Sequence, residues 1–370
     1  MSGNYCILSG IYPPDIGGPA KFARTFSEFL VSRKFKVKVI SYVDSKSQLL
    51  FKNGVEINLV SRQLPLVLRY ISTITLVLRS IMRKEIIIAN GCFIEIAILR
   101  LFIRFNYVTK IPGDIVWERA RNKNLTSSGI DEFQGERLNW KYTIFRKLFI
   151  YSLQKSKKVI VPSSHLKLLA KSWGLPDSQI ALIHNSVDCR TFVPLQNPSK
   201  KYDVVTVSRL VPWKGLEEVI KTCSSLGKSL AIVGDGPMKS DLKKLSLEAK
   251  SPVTFLGELD QESLIRVYQD SRFFILNSSF EATSYALLEA MSCGLIPISN
   301  DSTGSLEVIQ HGTNGILCGN TTGLNLESAL ATLLNNPLRN SAFSRNARRR
   351  IEEEFNFEVN FEKIRLIANA

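Results

Sequence analysis

The stretch Val207-Ser208-Arg209-Leu210-Val211-Pro212-Trp213-Lys214-Gly215 sets an Arg and a Lys five positions apart, just after an apolar run that reads as a strand. Two fixed cations at a strand's carboxyl end, beside the start of a helix, suit a diphosphate. Read blandly, they are two solvated loop cations. A second stretch, Phe280-Glu281-Ala282-Thr283-Ser284-Tyr285-Ala286-Leu287-Leu288-Glu289-Ala290-Met291, carries two carboxylates eight positions apart. Eight residues is a little over two helical turns, so the spacing predicts that Glu281 and Glu289 share one side of a helix. Glu289 stands among Leu288, Ala290 and Met291, which predicts burial. A buried carboxylate needs donors. Sugar or ribose hydroxyls would supply them, and so would an internal Arg or backbone N–H groups. A third stretch, Pro13-Pro14-Asp15-Ile16-Gly17-Gly18-Pro19-Ala20, puts paired glycines before a helical pattern, where backbone can approach a phosphate closely. A plain turn would look the same.

These residues need elements to hold them, and the chain alternates strand with helix. Strands are predicted at Tyr5–Ser9, Lys36–Ser41, Glu85–Ala89 and Lys158–Val161, with a helix over Pro19–Leu30. Residues 185–202 turn polar and Pro-containing and read as a linker. A second alternation follows. It has strands at Asp203–Val207, Leu230–Val233, Val253–Leu256, Phe273–Leu276 and Ile296–Ser299. Helices come between them at Leu216–Leu226, Met238–Lys250, Gln261–Gln269 and Ser284–Met291. Two such alternations predict an α/β chain of two Rossmann-like, doubly wound parallel-sheet domains. Ligands of these folds sit off the carboxyl ends of strands, and two domains facing across a cleft make the default site there.

A length of 370 residues suits two cores, and 45% hydrophobic with 22% charged residues excludes a disordered chain. The net charge of +15 is lopsided. Residues 1–200 hold 30 Lys+Arg against 13 Asp+Glu, or +17; residues 201–370 hold 18 against 20, or −2. The first half therefore calls for an anionic partner. Leu64–Lys84 reads as a helix with a polar stripe of Arg69, Ser72, Thr73, Arg79, Ser80 and Arg83 opposite a broad apolar face. Phe93–Arg104 looks similar, with Arg100 and Arg104 four apart. Both fit contact with an anionic membrane surface, or helices packed on their sheet with Arg outside. The six cysteines form no C-x-x-C pair, and three histidines are too few for a zinc cluster. The thiols read as buried small hydrophobes of a reducing compartment. No signal peptide or transmembrane span is expected.

Arg209…Lys214, Gly234-Asp235-Gly236-Pro237, Phe255-Leu256-Gly257 and Glu281-x7-Glu289 with Ala290-Met291-Ser292-Cys293-Gly294 resemble family 4 retaining glycosyltransferases of the GT-B fold. Val161-Pro162-Ser163-Ser164 and His184-Asn185-Ser186-Val187-Asp188 are similar to two further stretches of that family. The resemblance implies an enzyme moving a hexose-type sugar, with retention, from a UDP- or GDP-sugar to a lipid-linked or polysaccharide glycan. It implies a donor diphosphate held by Arg209 and Lys214, ribose hydroxyls on Glu289 and hydroxyls of the transferred sugar on Glu281. Backbone N–H groups of Ala282, Thr283 and Ser284 would hold the sugar's far side, and Gly17 and Gly18 would cap the diphosphate from the other domain. It further implies an acceptor-side domain over 1–190, a donor domain over 191–351 and a tail, 352–370, returning to the first domain.

Where many relatives carry His-Asp, this chain has Ile111-Pro112-Gly113-Asp114 followed by Trp117-Glu118-Arg119, and so resembles a subgroup with Gly-Asp-x-x-Trp-Glu. Asp114, Glu118 and Arg119 become the acceptor-side candidates, with a loop cap as the other reading of Asp114. The chain contains no Asp-x-Asp, the metal-holding motif of the GT-A fold, so no metal and no cofactor is expected. Activity should survive chelation. The expected location is the cytoplasm, with a peripheral place on the inner membrane face. Two other functions stay in view: a nucleotide-sugar epimerase or hydrolase of the same fold, and a basic nucleic-acid-binding protein. The shortage of histidine weighs against the former. The lack of any helix-turn-helix, RNP-like or zinc-finger pattern weighs against the latter, and no nucleic acid is expected as partner.

Overall fold

The computed structural model describes residues 3–196, 198–250, 252–302 and 304–370. The chain divides into two compact units, one of residues 1–183 with 361–370 and one of residues 184–360. Each is a doubly wound α/β sheet.

The first unit holds β1 (Asn4–Ser9), β2 (Lys36–Val43), β3 (Gln48–Lys52), β4 (Val55–Ser61), β5 (Ile86–Asn90), β6 (Val108–Lys110), β7 (Lys158–Val161) and β8 (Ile180–Leu182). They lie in the order β3-β4-β2-β1-β5-β6-β7-β8. All neighbours are parallel except β3, which turns back antiparallel to β4. Its helices are α1 (Gly18–Ser32), α2 (Leu66–Met82), α3 (Phe93–Phe102), α4 (Ile115–Asn122), the single turn α5 (Ile130–Phe133), α6 (Trp140–Gln154) and α7 (Ser164–Ser172). The apolar run Ile86-Ile87-Ile88-Ala89 forms an interior strand because helices cover both faces of a parallel sheet. Phe22, Phe26 and Phe29 of α1 pack on Phe361, with ring centroids 5.9, 5.2 and 5.6 Å apart, so the end of the chain belongs to this unit's core.

α2 corrects the sequence expectation. Its polar stripe does not face solvent as a whole: Thr73 and Ser80 are fully buried beside Val77, while Leu66, Val67, Leu68, Ile71 and Met82 are exposed. Thr73 hydrogen-bonds the carbonyl of Arg69 at 3.0 Å, and Ser80 that of Leu76 at 3.3 Å, which makes their burial tolerable. α3 also differs. It ends at Phe102, so Arg100 and Arg104 do not share a helical face, and its first turns are buried almost all round.

The second unit holds β9 (Tyr202–Val207), β10 (Leu230–Val233), β11 (Val253–Gly257), β12 (Ser271–Leu276), β13 (Ile296–Asn300) and β14 (Ile316–Cys318), all parallel, in the order β11-β10-β9-β12-β13-β14. Its helices are α8 (Leu216–Ser225), α9 (Lys239–Glu248), α10 (Gln261–Gln269), α11 (Tyr285–Ser292), the single turn α12 (Ser305–Val308), α13 (Leu326–Leu334) and α14 (Pro337–Glu354), and α15 (Phe357–Asn369) carries the chain back to the first unit. Alternate strand residues feed separate clusters on the two faces, Val205, Ala231 and Phe274 on one and Val204, Ile232 and Ile275 on the other.

The junction between the two units lies earlier than the polar composition suggests, between Ile183 and His184. Val187, Cys189 and Phe192 are buried in the second core, and Val187 bridges Asn356. Arg348 of α14 fixes this segment through bonds to the carbonyls of Cys189 (2.7 Å) and Ser292 (2.6 Å). All six cysteines are buried and unbridged. Among the described residues no helix is long and apolar enough to cross a membrane.

Candidate functional site

In the second sheet, the chain leaves β9 toward β10 on one side and returns through β12 toward β13 on the other. The strand order reverses between β9 and β12, and a crevice opens outside the carboxyl ends of strands at such a switch point. Arg209 and Lys214 lie on the loop that leaves β9, and Glu281 on the loop that leaves β12. Lys214 and Glu281 close an ion pair across these loops. Their side chains are 16% and 14% exposed, so the pair is mostly shielded from water.

The two loops are also joined through backbone. Ser279 N–H donates to the Trp213 carbonyl at 2.9 Å, and Asn277 Nδ2 donates to the Gly215 carbonyl at 3.0 Å and to Glu218 Oε2 at 2.8 Å. Gly215 adopts φ 58° at the start of α8, where a Cβ would stand 2.6 Å from the Asn277 carbonyl oxygen, so no other residue fits. Gly236 allows a like approach, since its Cβ would meet the Leu210 carbonyl oxygen at 2.5 Å. Gly304 N–H holds the Glu281 carbonyl at 2.9 Å. The Arg209 side chain is exposed and without an ion pair among the described residues. The hydroxyls of Ser208 and Ser278, one on each loop, are buried and have no hydrogen-bond partner in the described structure.

Glu281 and Glu289 do not share a helix face. α11 begins at Tyr285, capped by Ser284 Oγ accepting from Leu287 N–H, and Glu281 precedes it in the loop. Glu289 is buried, as its apolar neighbours require, and accepts a hydrogen bond from Tyr268 at 3.1 Å, so at least one of its donors is internal. Ala282 and Thr283 are buried, and the Thr283 carbonyl accepts from Asn185 Nδ2 at 2.8 Å. That bond ties the His184-Asn185-Ser186 stretch to this loop.

The first sheet reverses between β1 and β5. There Gly91 passes so close to Gly10 that a Cβ would lie 2.2 Å from the Gly10 nitrogen. α1 starts here at Gly18, with Gly17 at its N-cap, a Pro in the first turn and no side-chain cap or acid there, which leaves its first N–H groups unmatched by side chains. Asn90 at the end of β5 donates to the Pro19 carbonyl at 3.1 Å, and its Oδ1 is buried without a partner among the described residues. Asp114 is the N-cap of α4. Its Oδ1 accepts from Val116 and Trp117 N–H at 2.9 and 3.1 Å, and its Oδ2 from Gln134 Nε2 at 3.0 Å. This is the loop cap that sequence left open. Glu118 sits in the first turn of the same helix, with Oε1 2.7 Å from where a Gly113 Cβ would be. Arg119 is exposed, its guanidinium 4.5 Å from the Phe145 ring centre.

Both halves of the chain match family models. Residues 16–191 match Glycosyltransferase Family 4, and residues 190–350 match Glycosyl transferases group 1. The fold of the chain is that of the GT-B glycosyltransferases. This GT-B chain superposes on the sucrose-phosphate synthase of Thermosynechococcus elongatus with a TM-score of 0.81 and 18% identity, covering 99% of this chain and 98% of that one. It superposes on Anabaena HepE in complex with UDP and glucose with a TM-score of 0.78 and 17% identity over the whole of both chains. In sequence it is 30% identical over 228 residues to N-acetyl-alpha-D-glucosaminyl L-malate synthase of Bacillus anthracis, 57% of this chain and 59% of that one. The matches span about half the length of such curated relatives.

Sequence reading missed a polar cluster where β2 and α3 meet. Glu95 is buried in the first turn of α3 and accepts from the Tyr42 hydroxyl. Thr73 reaches that hydroxyl at 3.3 Å, and the Arg69 guanidinium lies 5.5 Å from the Tyr42 ring centre. Burial raises the Glu95 carboxyl above its usual range. The signal was present: Glu95 stands in Phe93-Ile94-Glu95-Ile96-Ala97, the same lone carboxylate in an apolar helix that flagged Glu289. Among the described residues no group of three His, Cys, Asp or Glu side chains gathers as a metal site.

Proposed function

We propose that this chain transfers a hexose-type sugar, with retention, from a UDP- or GDP-sugar to a glycan or lipid-linked acceptor on the cytoplasmic side of a membrane, without a metal. One observation carries the reading: Arg209 stands as an exposed cation with no ion-pair partner among the described residues, on the same loop as the Lys214–Glu281 pair at the switch point of the second sheet.

A leaving diphosphate develops charge that fixed cations stabilise. Arg209 and Lys214 supply it, so a divalent ion has no role in the proposal. Lys214 also holds Glu281 in place. Glu281 then accepts hydrogen bonds from hydroxyls of the transferred sugar, with N–H groups of the Ala282-Thr283-Ser284 turn beside it. Glu289, already held by Tyr268, takes ribose hydroxyls. The buried hydroxyls of Ser208 and Ser278 are two further groups that a bound polar ligand would satisfy. Gly17 and Gly18, at the start of α1, offer backbone N–H groups of the kind that suits a phosphate. Asp114, Glu118 and Arg119 serve the acceptor, with Asp114 held rigid by its capping bonds. The leaving phosphate takes the acceptor's proton, and no enzyme nucleophile is needed. HepE, crystallised with UDP and glucose, supports a nucleotide-sugar donor by analogy of fold.

Thermal shift against a panel of nucleotide sugars tests the donor. A true donor at a hundredfold excess over Kd stabilises by about 2.7 kcal/mol. Release of free UDP or GDP only when acceptor is added marks transfer. Release without acceptor marks a hydrolase and overturns the reading. Turnover unchanged in EDTA is the expected result. Loss in EDTA with recovery on adding manganese contradicts the metal-free part.

A further inference from the structure

α2 is turned partly inside out. It buries Thr73 and Ser80 and leaves Leu66, Val67, Leu68, Ile71 and Met82 in water, with exposures from 51 to 74%. Exposed apolar side chains gathered on one element mark a contact surface more often than chance. The surface continues. α2 packs beside α3 and α3 beside α6, and right-handed crossovers place all three on one face of the first sheet. At the end of α3, Leu101 is 59% and Phe102 82% exposed, and at the start of α6, Trp140 is 69% and Ile144 49% exposed.

The exposed charge on these three helices has one sign. Between Ile57 and Gly113 the chain has two carboxylates, Glu85 and Glu95, and from Arg137 to Pro176 it has none. Glu85 is buried in an ion pair with Lys38 at 3.1 Å, and Glu95 is buried against Tyr42. The exposed charges left on these helices and their ends are cations: Arg79, Arg83, Lys84, Arg104, Lys141 and Lys147. None is paired with a carboxylate among the described residues.

We infer that the outer face of α2, α3 and α6 seats on an anionic lipid bilayer, with Val67, Leu68, Ile71, Phe102 and Trp140 entering the headgroup boundary and the surrounding Lys and Arg meeting lipid phosphates. Apolar side chains beside cations, on helices whose own acids are buried at the end of α2 and in α3 and absent from α6, match the two halves of such an interface. A second copy of the same face would bring like charges together, and an acid-poor, cationic face repels its own kind. The inference deepens the acceptor side of the reading above and rests on it only for the lipid-linked acceptor. Vesicle binding needs no donor, so its failure would leave nucleotide binding at Arg209 untouched.

The full chain is floated with vesicles of phosphatidylcholine alone and of phosphatidylcholine with phosphatidylglycerol. It should bind only the anionic vesicles at low salt and come off at high salt. The double substitution Val67→Glu with Leu68→Glu should lower binding at least about tenfold, as should Phe102→Glu. Both sites are solvent-exposed, so the thermal midpoint should not move. Leu338→Glu, at a lone 94%-exposed leucine of the second unit, should leave binding as it was. The inference is overturned if wild type ignores anionic vesicles at low salt. Unchanged binding of the Val67/Leu68 variant also overturns it. So does a concentration-dependent dimer in light scattering that the same variant abolishes.

Discussion

The Lys214–Glu281 pair couples two chemical tasks in one contact. If Glu281 is truncated, Lys214 stays beside the crevice with its charge uncompensated, and the β9 and β12 loops lose the ion pair that joins their side chains. Glu281→Ala is therefore expected to cut turnover by about two to three orders of magnitude and to cost about 1–3 kcal/mol of stability. Activity assays and thermal melts check both; a variant with near wild-type turnover would remove Glu281 from the site. Lys110 offers a second test, in pH. It is 2% exposed at the end of β6, its ammonium 4.6 Å from the Phe22 ring centre, and burial lowers its pKa from the ordinary 10.5 to about 7. The unfolded chain binds this proton more tightly, so the native state bears the full penalty below about pH 7 and sheds it as pH rises toward 10.5. Lys110→Met should raise the melting temperature most at pH 6–7, with the gain shrinking toward pH 9. A gain independent of pH would contradict this. Residue types were legible in the sequence: Arg209, Lys214, Glu281 and the burial of Glu289 all follow from neighbours and spacing. The pairing of Lys214 with Glu281 was not, because the two are 67 positions apart and only the sheet order brings their loops together.

At the scale of elements, α14 shows how a charge run becomes a clamp. In sequence, Arg348-Arg349-Arg350 followed by Glu352-Glu353-Glu354 is a charge-switched helix; in the structure Arg348 donates to the carbonyls of Cys189 and Ser292, and Arg350 to those of Val308 (3.2 Å) and Glu307 (3.0 Å). Arg348→Ala would strand shielded carbonyls and loosen residues 187–192, so a loss of about 2–4 kcal/mol is expected in denaturant melts. A loss under about 0.5 kcal/mol would mean the clamp is redundant. Between residues 203 and 299 the strands and helices of the second unit could be read almost to their ends, since apolar runs and caps agree there; β14 and α13 beyond them fall outside that reading. α2 could not. Periodicity reports that a helix has two faces, but it does not say which one the sheet will take. Thr73 and Ser80 can satisfy their hydroxyls on their own helix, so burying them is cheap enough to reverse the expected orientation. The Glu281–Glu289 spacing failed for a related reason. Ser284 makes a good N-cap, and a cap starts the helix after Glu281 whatever the spacing suggests.

At the scale of the molecule, two sheets with unlike charge divide the work. Residues 1–200 carry +17 and residues 201–370 carry −2, and the proposed roles follow that division, lipid and acceptor with the first and donor with the second. The fold class was legible because strand–helix alternation appears twice. The antiparallel β3 edge and the return of residues 361–370 to the first unit's core could not be read from composition, since both are tertiary choices. Nucleotide diphosphate binding through Arg209 is the central expectation for this chain. Titration calorimetry with UDP and with GDP should show one of them binding the wild-type chain, and Arg209→Ala should weaken that affinity by at least about tenfold, or 1.4 kcal/mol, with an unchanged melting temperature. Equal affinity in the two proteins, or no binding of either nucleotide to wild type, would contradict it.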